Sequence, residues 1–276
     1  MGDKQACFQR KVDMIEYVKG FLNQYNEKNS SNTPPGSEGN IAPTILFNEG
    51  WMVRVLVAVS IEYRINLEHV SFSDNPCWFS EGLLPSPFLS DKVQRGCGES
   101  HTHADMIIGD IKFDQKFECP KGGEVSLEKS AQTFGVIEAK MNSPLSMGTT
   151  NAPNYCQTSR NVACIAHMTK DIPTCKHTFF GVVAPECKIE SIRPLVEKEF
   201  MTQQIAERFE KCVFRKEEPY EAILAQVRKC ASFTISYEEW IEKFKAFSSI
   251  HDALDTFRKN CYRFNRIRVE PEDQKR

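Results

Sequence analysis

The sequence lacks an excess of either charge: 35 lysines and arginines stand against 37 aspartates and glutamates, a formal net charge of −2. A chain so balanced does not attract polyanions as a whole, so any nucleic acid would have to meet a local basic patch. Long apolar runs are also missing. The most apolar stretch, Trp51 to Ile61, is interrupted by Arg54 and falls well short of the ~20 residues that span a bilayer. No Cys-x-x-Cys pair occurs, which removes the strongest zinc signature. Met1-Gly2-Asp3-Lys4 runs into charge without an apolar core of a leader, and Ala6 breaks the myristoylation pattern. Internal repeats and low-complexity tracts are absent too. Cysteine, by contrast, is plentiful: 11 residues, an odd number. The expectation is free thiols in a reducing, intracellular (cytoplasmic) setting. Apolar residues make up 41 %, enough for a core without disulfide staples.

Val12, Ile15, Val18 and Leu22 recur at helical spacing, predicting a helix over about 4–27. Ser30 to Ser37 then reads as a loop. A second helix is expected from about Ile45 to Ile61, and residues 71–100, rich in Ser, Pro and Gly, are expected to be irregular. Ala104 to Ile108 and Phe134 to Lys140 are short apolar runs that read as strands. Between them Cys119-Pro120-Lys121-Gly122-Gly123 signals a turn, and the point midway between Asp105 and Glu138 falls inside it. A simple antiparallel hairpin therefore sets Asp105 opposite Glu138. Alternation along the strand puts Lys140 on the same face. A helix over Asn151–Lys170 with Pro153 in its first turn follows, then a strand over His177–Ala184, then helices to the end. Ser236-Tyr237-Glu238-Glu239 has the pattern of a capping box. The fold class is α/β: a mixed central sheet flanked by helices, with additional N- and C-terminal helices. The division is 1–44 (helix and loop), 45–190 (core) and 191–276 (a C-terminal helical extension packed on the core), one domain overall.

Two carboxylates on one face can hold a hard divalent cation, and a neighbouring lysine can act near a bound water or offset phosphate charge. Asp105, a hairpin, Glu138-Ala139-Lys140 ending an apolar strand, and a following helix with Gln157 together resemble the PD-(D/E)XK nuclease-like superfamily, over roughly residues 45 to 185. That resemblance implies a restriction-endonuclease-like core and a magnesium-dependent nuclease, with manganese as a substitute. Asp105 and Glu138 would be metal ligands, Ala139 would add its carbonyl, and Lys140 would be the catalytic lysine. Glu49 matches the glutamate many members carry on the helix before the hairpin, and Gln157 the helix that supports the site. Ala104 stands where the family's proline would be. The implied substrate is nucleic acid, DNA by family habit; the near-neutral charge points to modest affinity, a homodimer or partner subunit, or a narrow binding groove. The alternative is a catalytically inactive protein of the same fold that binds nucleic acid or a protein.

Other readings stay open beside these. Glu81 and Asp110 are alternative third acids, and Asp105 could simply cap a loop. Glu138 and Lys140 could be a solvated edge pair. His101 and His103, alternate in an extended chain, could join Cys97 in a zinc site, or His103 could touch substrate. Lys259, Arg263 and Arg266 align at i, i+4, i+7 of a helix, opposite Phe257, Cys261 and Phe264. They form either a stripe that follows a phosphate backbone or the solvated side of a terminal helix.

Overall fold

The computed structural model describes residues 43–112, 123–217 and 219–267. The expected helix over 4–27, the loop at 30–37 and most of the 119–123 turn lie outside them. Helices α1 (Pro43–Leu46) and α2 (Glu49–Tyr63) replace the single helix expected over 45–61. The break comes from Asn48, which is extended and whose side chain accepts a hydrogen bond from the Trp51 amide at 3.0 Å. An N-cap of this kind restarts the helix, so Glu49 opens α2.

Five strands form the central sheet: β1 (Cys77–Leu84), β2 (Thr102–Gly109), β5 (Thr133–Ala139), β6 (His177–Ala184) and β7 (Ala231–Ser236), in the order β1-β2-β5-β6-β7. β1, β2 and β5 are antiparallel neighbours, while β5, β6 and β7 run parallel. The sheet is therefore mixed. β2 and β5 pair Met106 with Ile137 and Gly109 with Phe134. Continued by one residue, the same register puts Asp105 across from Glu138, as the hairpin argument requires. The connection is not a simple hairpin, however. β3 (Ile111–Lys112) and β4 (Ser126–Leu127) form a separate ladder in a slipped register. The slip is absorbed by a loop over 128–132, where Asp110 Oδ2 accepts from the amides of Gln132 (2.7 Å) and Thr133 (3.0 Å). Gly109 makes the corner possible. Its φ is +141°, and a Cβ there would lie 2.2 Å from the Thr133 carbonyl oxygen.

Three expectations are corrected. The stretch 71–100 is not wholly irregular, because β1 forms the sheet's edge. It hides in the sequence because Glu81, in mid-strand, has φ +58° and the burial does not alternate. The C-terminal region is not all helical, because β7 is the fifth strand. It runs straight from α6 (Tyr220–Lys229) into α7 (Tyr237–Glu242) with no Gly or Pro to mark its ends. Finally, α3 is Gln157–Thr169 rather than 151–170. Pro153 follows a turn closed by mutual backbone bonds between Thr149 and Ala152 (2.9 and 3.0 Å).

One face of the sheet carries α3, α5 (Lys198–Lys211) and α6, packed through Val162, Ile165, Ile205, Phe209 and Leu224 onto Phe134, Val136 and Val182. The other carries α2, α7 and α8 (Ser248–Phe264), with Met52, Leu56, Trp240, Leu254 and Phe257 against Ile108, Ile137 and Val183. The short α4 (Glu186–Ile192) follows β6. Adjacent β5 residues feed opposite cores, the strand alternation that gives Glu138 and Lys140 the α3 side.

Candidate active site

At the carboxyl end of β5 the apolar run stops and charge begins. Open α/β sheets commonly gather ligands at such strand ends. Glu138 is 1 % exposed and Lys140 8 % exposed, and the Lys140 ammonium donates to Glu138 Oε1 at 2.7 Å. A buried charge of either sign would be costly alone, so each is the other's compensation. Asp105, from β2, accepts a hydrogen bond at Oδ2 from the Ala139 amide at 2.8 Å. Its charge also bears on the Glu138 carboxyl. In extended backbone the amide and carbonyl of one residue point to the same edge. The Ala139 carbonyl therefore also turns toward β2, while the Lys140 amide turns the other way, to the Val183 carbonyl (2.9 Å).

The two helical layers meet here. From the α3 side, the Gln157 amide nitrogen donates to Glu138 Oε1, while Gln157 Oε1 accepts from the Ser146 amide at 3.3 Å. One turn on, Asn161 donates to Glu138 Oε2 at 3.4 Å. Its own Oδ1 is buried without a partner. From the opposite layer, Glu49 at the start of α2 feels the charges of both Lys140 and Asp105.

The electrostatics follow from this crowding. Burial, then the Asp105 charge, pushes Glu138 up to about 8, more than Lys140 can offset. Burial likewise raises Glu49, with Lys140 opposing and Asp105 assisting. Burial pulls Lys140 down, but Glu138, Asp105 and Glu49 outweigh it, so its net shift is upward. The lysine stays charged, and Glu138 favours its protonated form at neutral pH.

The sequence-derived candidates Asp105, Glu138, Ala139, Lys140, Gln157 and Glu49 are thus brought to one place. Glu81 falls at the position left unpaired between Ser80↔Met106 and Gly82↔Ala104, level with Asp105 in the register, and its carboxylate is turned to Arg54 at 3.1 Å. Asp110 sits at the far end of β2, spent on the loop amides. Asn161 and Lys188 were missed. Asn161 carries a signal, its i+4 spacing from Gln157 on a helix. Lys188, whose ammonium donates to the Asn142 carbonyl at 2.6 Å and whose charge reaches Glu49, carries none.

The suggested zinc trio is not gathered. Cys97 is buried with its thiol 3.7 Å from the Lys211 carbonyl, His101 lies 3.5 Å from Glu124, and His103 is exposed on β2. Among the described residues no group of three or more His, Cys, Asp or Glu side chains is set to hold a metal ion as it stands. The basic stripe is shorter than expected. Lys259 and Arg263 are exposed on α8, but α8 ends at Phe264, and Arg266 lies beyond it at φ +57°. Lys259 is paired with Asp255 at 2.7 Å. No helix among the described residues is long and apolar enough to cross a membrane. No protein-family model matches the chain, and neither a curated protein nor a solved structure matches it.

Proposed function

We propose that the protein is a metal-dependent phosphodiesterase of restriction-endonuclease-like architecture, acting on nucleic acid, with DNA as substrate. One observation carries the reading: β2 and β5 are in the register that gathers Asp105, Glu138 and Lys140 on one face at a strand end, with the Ala139 carbonyl turned toward the same edge. The donor set is chemically suited to magnesium or manganese. Two carboxylates and a carbonyl are hard oxygen ligands, and neutral amides from Gln157 and Asn161 steady one of them without competing for a cation. When bound, the cation polarises the phosphoryl oxygen and lowers the pKa of its water. The protein's own groups do the rest. Asp105 and Glu138 supply negative charge that favours the cation. Lys140, released from Glu138, aims its ammonium at the attacking water or the phosphate. Glu49 and Asp105 border the same space.

A second reading, an inactive protein of this architecture that binds nucleic acid or a protein, is favoured by a different observation. Both Glu138 oxygens are engaged, Oε1 by Lys140 and Gln157 and Oε2 by Asn161, so the carboxylate is neutralised without a metal.

The two readings part on Lys140→Ala, Glu138→Ala and Asp105→Ala, compared with wild type in magnesium and in manganese. If the chain is a nuclease, wild type degrades DNA and Lys140→Ala loses roughly 10²–10⁴-fold in rate. Lys140→Ala should keep a metal-induced rise in melting temperature, whereas Asp105→Ala and Glu138→Ala lose both. Cleavage that survives in Lys140→Ala would place the chemistry elsewhere, and absence of cleavage and of any metal shift would favour the inactive reading.

A further inference from the structure

The rim of the site beside Asp105 carries a group that the metal chemistry does not use. Trp51 lies in the first turn of α2, two residues past Glu49, and is 37 % exposed. The Arg54 guanidinium sits over its ring, 5.2 Å from the centroid. The same guanidinium reaches across to β1, with Nε donating to Ser80 Oγ at 2.6 Å and Nη2 meeting Glu81 Oε1 at 3.1 Å. Glu81 is itself unusual: a non-glycine residue at φ +58° inside a strand, level with Asp105 in the β1–β2 register. Among the described residues its ion-pair partner is Arg54, and its carboxylate side chain is still 54 % exposed.

An indole face and a guanidinium are the two groups that take, respectively, an unstacked base and a phosphate. The base of a duplex is already stacked on its neighbours and cannot offer its face to an indole without being extruded. The exposed carboxylate of Glu81 occupies the guanidinium as a phosphate would. Further cationic groups lie on this side. The end of α8 touches the start of α2, where the Asn265 side chain donates to the Phe47 carbonyl at 2.7 Å, and Arg263 and Arg266 flank that contact, both exposed.

We propose, resting on the nuclease reading above, that Trp51 and Arg54 seat one unstacked nucleotide of a single-stranded DNA substrate next to the scissile phosphate, with Glu81 the group the strand displaces from Arg54. The preferred substrate is then a single strand rather than a duplex.

The test uses the full chain in a Lys140→Ala background, so that bound DNA is not cut. Fluorescence anisotropy is read with one labelled oligonucleotide, single-stranded and annealed to its complement, in magnesium. The parent should bind the single strand more tightly than the duplex. Trp51→Ala should weaken single-strand binding roughly tenfold and leave duplex binding unchanged, Trp51→Phe should recover most of the loss, and Glu81→Gln should strengthen single-strand binding. Equal affinity for both forms, or single-strand affinity indifferent to Trp51→Ala, overturns the proposal. Should Trp51→Ala fail to fold, Glu81→Gln decides, since unchanged binding in that variant also overturns it. Cleavage by the Lys140-containing chain is scored separately. Cleavage with no Trp51 effect refutes the seat and spares the nuclease. Trp51-dependent single-strand binding with no cleavage keeps the seat and refutes the nuclease.

Discussion

His167 shows how tightly a single residue can be constrained away from the site. Its Nε2 lies 2.8 Å from the Lys92 ammonium, and its Nδ1 is buried without a partner. With a cation donating to it, the ring has to be neutral. Burial, then the charges of Lys92 and Lys170, lowers it to about 3, with only Asp171 opposing. In the unfolded chain the same ring titrates near 6.5. Between those values the unfolded state binds a proton that the folded state refuses, so stability is lost as pH falls below about 6.5. The melting temperature of wild type is expected to drop more steeply between pH 7 and pH 5 than that of His167→Gln, whose side chain keeps an acceptor without a titration. Parallel pH profiles for the two proteins would mean that the ring escapes the lysine on protonation.

Among the elements, α5 is joined to the irregular segment before β2 by one buried arginine. Arg208 donates to Glu99 Oε1 at 3.3 Å, to the Asn151 carbonyl at 3.2 Å and to the Cys97 carbonyl, and packs over the rings of Phe88 and Tyr155. Burial raises Glu99 even so, with Arg208 the chief opposing charge. Removing one partner strands a buried carboxyl, so Arg208→Ala should cost about 3–5 kcal/mol, read by urea denaturation. Glu99→Gln, which keeps hydrogen-bonding atoms, should cost less. None of this was visible in sequence, because Glu99 and Arg208 lie on separate elements and each reads as an ordinary surface charge. What sequence did reveal is the middle of the sheet. β2, β5 and β6 are nearly continuous apolar runs, and a turn midway between Asp105 and Glu138 carried the register. That register survives because the slipped β3–β4 ladder and the 128–132 loop fall beyond Asp110, outside the paired stretch. The sheet edges were illegible for physical reasons. β1 contains a positive-φ glutamate, and β7 is a half-buried strand abutting two helices. At the site, the strand residues could be read from alternation and Gln157 from the resemblance. Lys188 could not, since its place depends on how the chain turns after β6.

At the scale of the whole molecule, the question is whether residues 191–276 are an accessory to a core that stands without them. β7 pairs with β6 from Phe179↔Ala231 to Ala184↔Ser236, so its loss would bare an edge in the parallel half of the sheet. α5 and α6 cover one face and α7 and α8 the other. Without them Phe180, Val182 and Val183, all fully buried, would lose part of their cover on both sides of one strand, with only α3 and α2 left over it. A buried strand of this kind is not stable when partly uncovered on both faces, and its bare edge would invite pairing between chains. The site depends on the same layers. Val183 holds the Lys140 amide, and the Asn265 contact with Phe47 braces the start of α2 where Glu49 sits. A chain ending at residue 190 should therefore fail to give a cooperative melting transition or the near-ultraviolet circular dichroism of packed aromatics, and should self-associate. It should also show no metal-induced stabilisation, although Asp105, Glu138 and Lys140 are all still present. A cooperative melt from that fragment, with the metal response of the full chain, would make residues 191–276 a true appendage and would leave the gathering of the site to β2, β5 and α3 alone.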